Sequence, residues 1–217
     1  MPVSEAIVRE CFERRGFLVR QCRKHVTPGA RAEADFDFLV LNPRPVAADT
    51  PLPMVLEPAD LGRLHRAVVV VCGGHTETFS PVRLNANPEW FRFLAPASFR
   101  QAVRALGEGP PPTRLLVLPD LPRSEALRRD SLALLRAKGV DAVLRFRAVL
   151  ADLIEHVRPN CNYVKSDLLQ TLRLLKHYEF FREPQLDLFK PPRHRRRRPA
   201  DPVPPPEARP KSADQSA

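Results

Sequence analysis

The spacing of apolar positions changes period several times along the chain. From Ser4 to Arg15, charged and apolar residues recur at helical spacing, with Ile7, Val8, Cys11 and Phe12 on one stripe. Ser4 suits the N-cap and Gly16 the stop. FLVRQCRKH (17–25) then reads as a strand, TPGARAEA (27–34) as a turn or loop, and DFDFLVLN (35–42) as the returning strand of an antiparallel hairpin. Residues 43–65 hold Pro43, Pro45, Pro51, Pro53 and Pro58 and predict a long connection with one helical turn near Ala59 to Leu64. AVVVVC (67–72) is a continuous β-branched run, the mark of a central strand buried on both faces. Gly73 and Gly74 end or bend it.

Beyond that run the pattern alternates between helix and strand. WFRF (90–93) precedes a helix over Ala97 to Leu106, and TRLLVLP (113–119) is a buried strand. Ser124 caps an amphipathic helix to Lys138, Leu127 to Leu135 supplying its apolar side and Gly139 its terminator. VDAVLRF (140–146) is a further strand and Arg147 to His156 a helix. SDLLQTLRLLKHYEFF (166–181) predicts a last helix with Leu168, Leu172, Leu175 and Tyr178 on one face. Nine of the 25 prolines fall between Pro184 and Pro210, around the run Arg195, Arg196, Arg197, Arg198; that composition predicts a disordered tail. There is no internal repeat. The element order predicts an α/β fold with a mixed sheet, organised as a core over 1–157, a helical extension over 158–183 and the tail over 184–217.

At 217 residues the chain is long enough to bury a core. Its formal charge of +10 favours an anionic partner, nucleic acid or a membrane surface, and is silent on fold. Arginine outnumbers lysine 29 to 6, which suits phosphate recognition and is equally the mark of GC-rich coding. The four cysteines form no CxxC pair and no zinc-ligand spacing with histidine. Without a signal-peptide pattern they predict reduced thiols in a cytoplasmic protein, Cys11 and Cys72 as small core residues. No apolar run nears the ~18 residues of a membrane span, and neither a Gly-rich phosphate loop nor a nucleophile elbow is present.

Three segments carry more than periodicity. SEAIVRECFERRGFLVR (4–19) has Glu5 near a helix start and the pair Gly16–Phe17 opening the next strand. ADFDFLVLN (34–42) puts Asp37 on an apolar strand, and VVVVCGGH (68–75) follows as its neighbour. In these places the chain resembles the PD-(D/E)XK nuclease superfamily, over roughly residues 3–157. The resemblance implies a restriction-endonuclease-like three-layer core with a central mixed β-sheet flanked by helices. It implies DNA as the partner and Mg²⁺ as the cofactor of any cleavage. Asp37 matches the metal-binding aspartate, Glu5 an accessory carboxylate, and Cys72 would lend its carbonyl to the metal. The strand that normally reads acid-any-lysine here holds Val71 and Gly73, which neither ligate a cation through a side chain nor move a proton.

A relocated group would have to replace them. In an extended strand Val71, Gly73, His75 and Glu77 share a face, but at ~3.3 Å per residue Glu77 lies about 20 Å beyond Val71. A fold-back at Gly73–Gly74 would bring His75 or Glu77 toward Asp37. The residues also have plainer uses. Glu5 complements a helix dipole, Asp35 and Asp37 face solvent on a half-buried strand, and His75 is a polar strand end. Trp90, Phe91 and Phe93 suit core packing as well as base stacking. Arg195 to Arg198 suit phosphate contacts or a solvated tail. The helix 166–181, with Lys165, Arg173, Lys176 and His177, suits a nucleic-acid backbone, ordinary packing or a homodimer surface. Two functions follow as expectations: a nuclease-fold protein acting on or binding DNA with doubtful cleavage, or a non-catalytic adaptor on the same scaffold.

Overall fold

The computed structural model describes residues 3–22, 35–75 and 78–181. Within them the order is α1 (Val3–Arg14), β1 (Leu18–Gln21), β2 (Phe38–Leu41), β3 (Val55–Leu56), β4 (Arg66–Val71), α2 (Pro81–Ala86), α3 (Pro96–Leu106), β5 (Thr113–Leu118), α4 (Glu125–Lys138), β6 (Ala142–Arg145), α5 (Phe146–His156) and α6 (Asp167–His177), with 3-10 turns over Pro58–Arg63 and Pro88–Leu94. The hairpin forms as the period-2 pattern requires, Val19 opposite Val40. The valine run becomes the strand beside it, Phe38 opposite Val69.

The six strands make one mixed sheet in the order β1-β2-β4-β5-β6-β3. The β1/β2 and β2/β4 pairs are antiparallel; β4/β5, β5/β6 and β6/β3 are parallel. The sheet buries both faces because β4 alternates between two cores. Ala67 and Val69 pack with Val8 and Phe12 of α1, Leu153 of α5 and Leu169 of α6. Val68, Val70 and Cys72 pack with Leu84 of α2, Ala102 of α3 and Leu135 of α4. Each fully buried Leu or Phe of these cores contributes about 1.5–3 kcal/mol relative to exposure, which is why a sheet this short is stable only as the middle layer. The fold class is therefore α/β, with a mixed sheet flanked by helices.

Several local expectations change. Ser4 lies inside α1 and its hydroxyl bonds to His75. β3 pairs with β6 (Val55 opposite Val143) inside the proline-rich stretch read as a plain connection; α2 was likewise unforeseen and is capped by Ser80, which accepts from the Arg83 N–H at 3.4 Å. Ser124 stands at the N-cap of α4 without a side-chain bond. At the other end Gly139 adopts φ 95°, and its N–H and that of Val140 reach back to Arg136 and Leu135 carbonyls, a left-handed cap that favours glycine. α6 ends at His177, and its buried residues are Leu169 and Leu172, while Tyr178 is exposed. α6 packs on α1 and α5 in the same compact unit as the sheet. The proposed tail, with Arg195 to Arg198, lies outside the described residues. No described helix is long and apolar enough to cross a membrane, and the four cysteines form no disulfide.

One buried acid ties the first helix to the fifth. Asp152 of α5, only 6% exposed, accepts from Arg15 at 2.6 Å and from Arg14, and lies 3.3 Å from the His156 ring. Neither arginine has another carboxylate within ion-pair distance among the described residues. Asp152→Ala is expected to lower stability by about 2–4 kcal/mol, since removing one member leaves partly buried charges uncompensated. Urea unfolding checks this; a loss below ~0.5 kcal/mol would mean that the α1–α5 contact stands on its apolar residues alone.

Candidate functional site

The strand directions bring the chemistry-bearing residues to one edge of the sheet. β4, β5, β6 and β3 run parallel, so their carboxyl ends lie together, and β1 ends and β2 begins at that same edge. In open α/β sheets ligands bind at this edge, because the loops that leave it are free of the sheet's own pairing. Gln21, Asp37, Val71, Asp120, Arg145 and Glu57 all lie at or just beyond these strand ends.

Asp37 sits where the alternation of β2 breaks. Phe36 and Phe38 are two residues apart and should share a face, yet they lie in opposite cores. The chain bends over 35–37 to do this. The bend is held on both sides: Asp37 N–H donates to Val69 at 2.9 Å, and the Asp37 carbonyl accepts from Cys22 N–H at 2.8 Å. The half-buried carboxylate turns back to β4 and accepts from the Val71 N–H at 2.7 Å. Asp35, the other acid of the strand, accepts from Ser98 of α3. On β4 the Asp37 carboxylate thus meets main chain, at the residue where the resemblance calls for a second acid.

The remaining candidates arrive from different directions. Glu5, in the first turn of α1, accepts from Gln21 Nε2 at 3.2 Å and so reaches over β1. Beyond β4 the chain turns at Gly74, whose φ of 82° is costly for any residue with a Cβ. The turn carries His75 to Ser4, 2.7 Å from Nε2, and against the Phe146 ring, 4.3 Å between centroids. The contacts of the His75 ring are thus with the starts of α1 and α5. Glu77 lies outside the described residues. Val71 packs partly buried against the first core, and Gly73 is exposed.

Cys72 continues the β4–β5 ladder, its N–H donating to Val117 at 2.8 Å. Its thiol is buried in the second core. Burial first, then the charges of Asp37 and Glu89, push it far up, so the thiol stays protonated and is a poor ligand; the carbonyl named by the resemblance is untouched by that shift. Among the described residues no group of three or more His, Cys, Asp or Glu is placed to hold a metal ion. Mg²⁺ takes hard oxygen ligands in near-octahedral geometry; beside Asp37 the strand offers a valine side chain and a buried thiol. Val71 and Cys72 therefore add no carboxylate to that of Asp37.

A second feature of the same edge was not foreseen. A half-open cavity of about 380 Å³ lies beyond β3, β5 and β6, with Arg123, Arg128, Arg145 and Arg147 on its wall. The signal was present in LPRSEALRR (121–129) and LRFR (144–147), where arginines cluster just after strand ends. Their convergence needs the parallel pairing of β5 and β6, which no local pattern encodes. Compared with protein-family models, curated proteins and solved structures, the chain matches none.

Asp37→Ala is expected to cost about 1–3 kcal/mol, because it leaves the Val71 N–H without its acceptor. Asp37→Asn keeps an acceptor oxygen and should lose less than half as much. Equal losses in the two variants by chemical denaturation would show that the carboxylate charge, and not its hydrogen bond, matters to the fold.

The two buried thiols give a pH signature. Burial, and then the Asp152 charge, push Cys11 up from 9.0 to about 11, and Cys72 moves in the same direction. The unfolded chain releases these protons near pH 9 while the folded chain keeps them. Stability is therefore fully present below pH 9 and falls as pH rises toward 11, by about 1.4 kcal/mol per pH unit for each thiol. Urea midpoints at pH 8 and pH 10 measure the slope, and Cys72→Ala should make it shallower. An unchanged slope in that variant would remove Cys72 as a source.

Proposed function

We propose that the chain is a degenerate restriction-endonuclease-like protein that binds DNA without cutting it. The observation that carries this reading is the Asp37–Val71 pair: an aspartate on the hairpin's returning strand meets the adjacent valine-rich strand, where the second acid of a nuclease would stand, through a backbone N–H. Three further features support it. The antiparallel hairpin leads into a parallel series β4-β5-β6, with helices on both faces. The α1 glutamate reaches the same sheet edge. The charge of +10 supplies a sequence-independent attraction to phosphates.

The adaptor reading rests on a different surface. Val164, Leu174, Tyr178 and Phe180 are exposed along and beyond the two ends of α6, apolar side chains that a protein partner would cover.

Fluorescence anisotropy on labelled duplex and single-stranded DNA tests the proposal. Binding should persist in a metal chelator and fall steeply between about 50 and 200 mM salt. No product should form with Mg²⁺ or Mn²⁺. Cleavage abolished by both Asp37→Ala and Glu77→Ala would overturn it in favour of an enzyme with a relocated acid. Complete loss of DNA binding when Arg195 to Arg198 are replaced by alanine would leave the folded core without a DNA role and favour the adaptor.

A further inference from the structure

The cavity beyond β3, β5 and β6 holds more positive charge than its own acids neutralise. Four guanidinium groups, from Arg123, Arg128, Arg145 and Arg147, face two carboxylates, Glu57 and Asp120. Glu57 pairs with Arg145. Arg128 has a partner outside the cavity wall, Glu125 at 2.8 Å, an exposed pair worth little in water. Asp120 accepts from the N–H of Leu121 at 2.9 Å. The side chains of Arg123 and Arg147 make neither an ion pair nor a hydrogen bond among the described residues.

The placement is also unfavourable for the helices that carry it. Arg145 is the N-cap of α5 and Arg147 lies in its first turn, which holds no acid. Cations there oppose the positive end of the helix dipole. Arg123 stands just before the N-terminus of α4, whose cap makes no side-chain bond. In the free protein this arrangement is self-repelling. An anion in the cavity would offset that repulsion and meet the guanidinium groups that line it. Val55 and Leu132 add an apolar side, and the volume falls in the range of small-molecule sites.

We propose that this cavity binds a phosphate monoester of nucleotide size. Guanidinium groups fork two oxygens of a phosphate at once, and the apolar side takes the group that the phosphate carries. A carboxylate ligand is disfavoured, since it brings one negative charge where the unpaired arginines number two. The site is separate from Asp37 and does not depend on the nuclease-like reading. The phosphate would belong to a free mononucleotide or to the 5′ end of a strand, and the ligand series distinguishes these.

Isothermal titration of the full chain with adenosine 5′-monophosphate, adenosine and inorganic phosphate tests the site. The monophosphate is expected to bind and adenosine not to. The double variant Arg123→Ala, Arg147→Ala should bind it at least tenfold more weakly. Without ligand that variant should unfold at the same or a higher temperature, because the removed charges oppose α5. Arg147→Lys, which keeps the charge and loses the fork, should fall between the two and serves if the double variant is poorly folded. A 5′-phosphorylated oligonucleotide binding tenfold tighter than the mononucleotide, with no such gain for the 5′-hydroxyl form, assigns the strand end; equal affinities assign the free nucleotide. Undiminished binding in both variants, adenosine binding as well as its phosphate, or no heat at millimolar monophosphate overturns the proposal. Duplex binding that survives when monophosphate binding is lost, or the reverse, separates this site from the DNA-binding reading.

Discussion

Where β2 meets β4, the main-chain ladder ends on a side chain. The Val71 N–H donates to the Asp37 carboxylate, one step beyond the bond from Asp37 N–H to Val69. This seam joins the antiparallel hairpin to the parallel half of the sheet. It also forces the bend that sends Phe36 into one core and Phe38 into the other. A buried N–H without an acceptor costs on the order of 1–3 kcal/mol, so the aspartate has a structural reason to be there that needs no metal. In this fold Asp37 is the clasp of the β2–β4 pair.

Charge is distributed with equal consequence. On the face of α1 and α5, Arg14 and Arg15 converge on Asp152, and the guanidinium groups are compensated. At the carboxyl edge Arg123 and Arg147 line a cavity and make no ion pair among the described residues. The first arrangement holds two helices together. The second sets cations at the positive end of α5 and beside a cavity. His75 belongs to neither: its hydrogen bond to Ser4 and its contact with Phe146 tie the loop after β4 to the starts of α1 and α5.

Elements with a strong period were legible and those made by pairing were not. The stripe Ile7, Val8, Cys11 and Phe12 is buried as its spacing required, and the valine run is the buried strand its continuity implied. β3 has only two residues between Pro53 and Pro58, and it exists because Val55 and Leu56 find β6. The α6 stripe was misplaced toward Tyr178 because sequence spacing gives a helix face but not the point where its neighbours stop; α1 and α5 cover Leu169 and Leu172 and leave Tyr178 to solvent. For the candidate site, Asp37 and Glu5 were visible as residues, while the backbone partner of Asp37 and the arginine cavity were not.

The amino-acid order alone determined the alternation of helix and strand, the apolar faces, the hairpin, the central valine strand and the absence of an acid and a lysine upon it. These follow from side-chain chemistry and local period, which act over a few residues. Tertiary structure decided which strand ends share an edge, that the Asp37 carboxylate closes on the Val71 N–H, that His75 turns to Ser4, and that arginines from two separate strand-to-helix junctions line one cavity. Those outcomes depend on the order and direction of strands far apart in the chain, and that is settled only when two cores are packed at once.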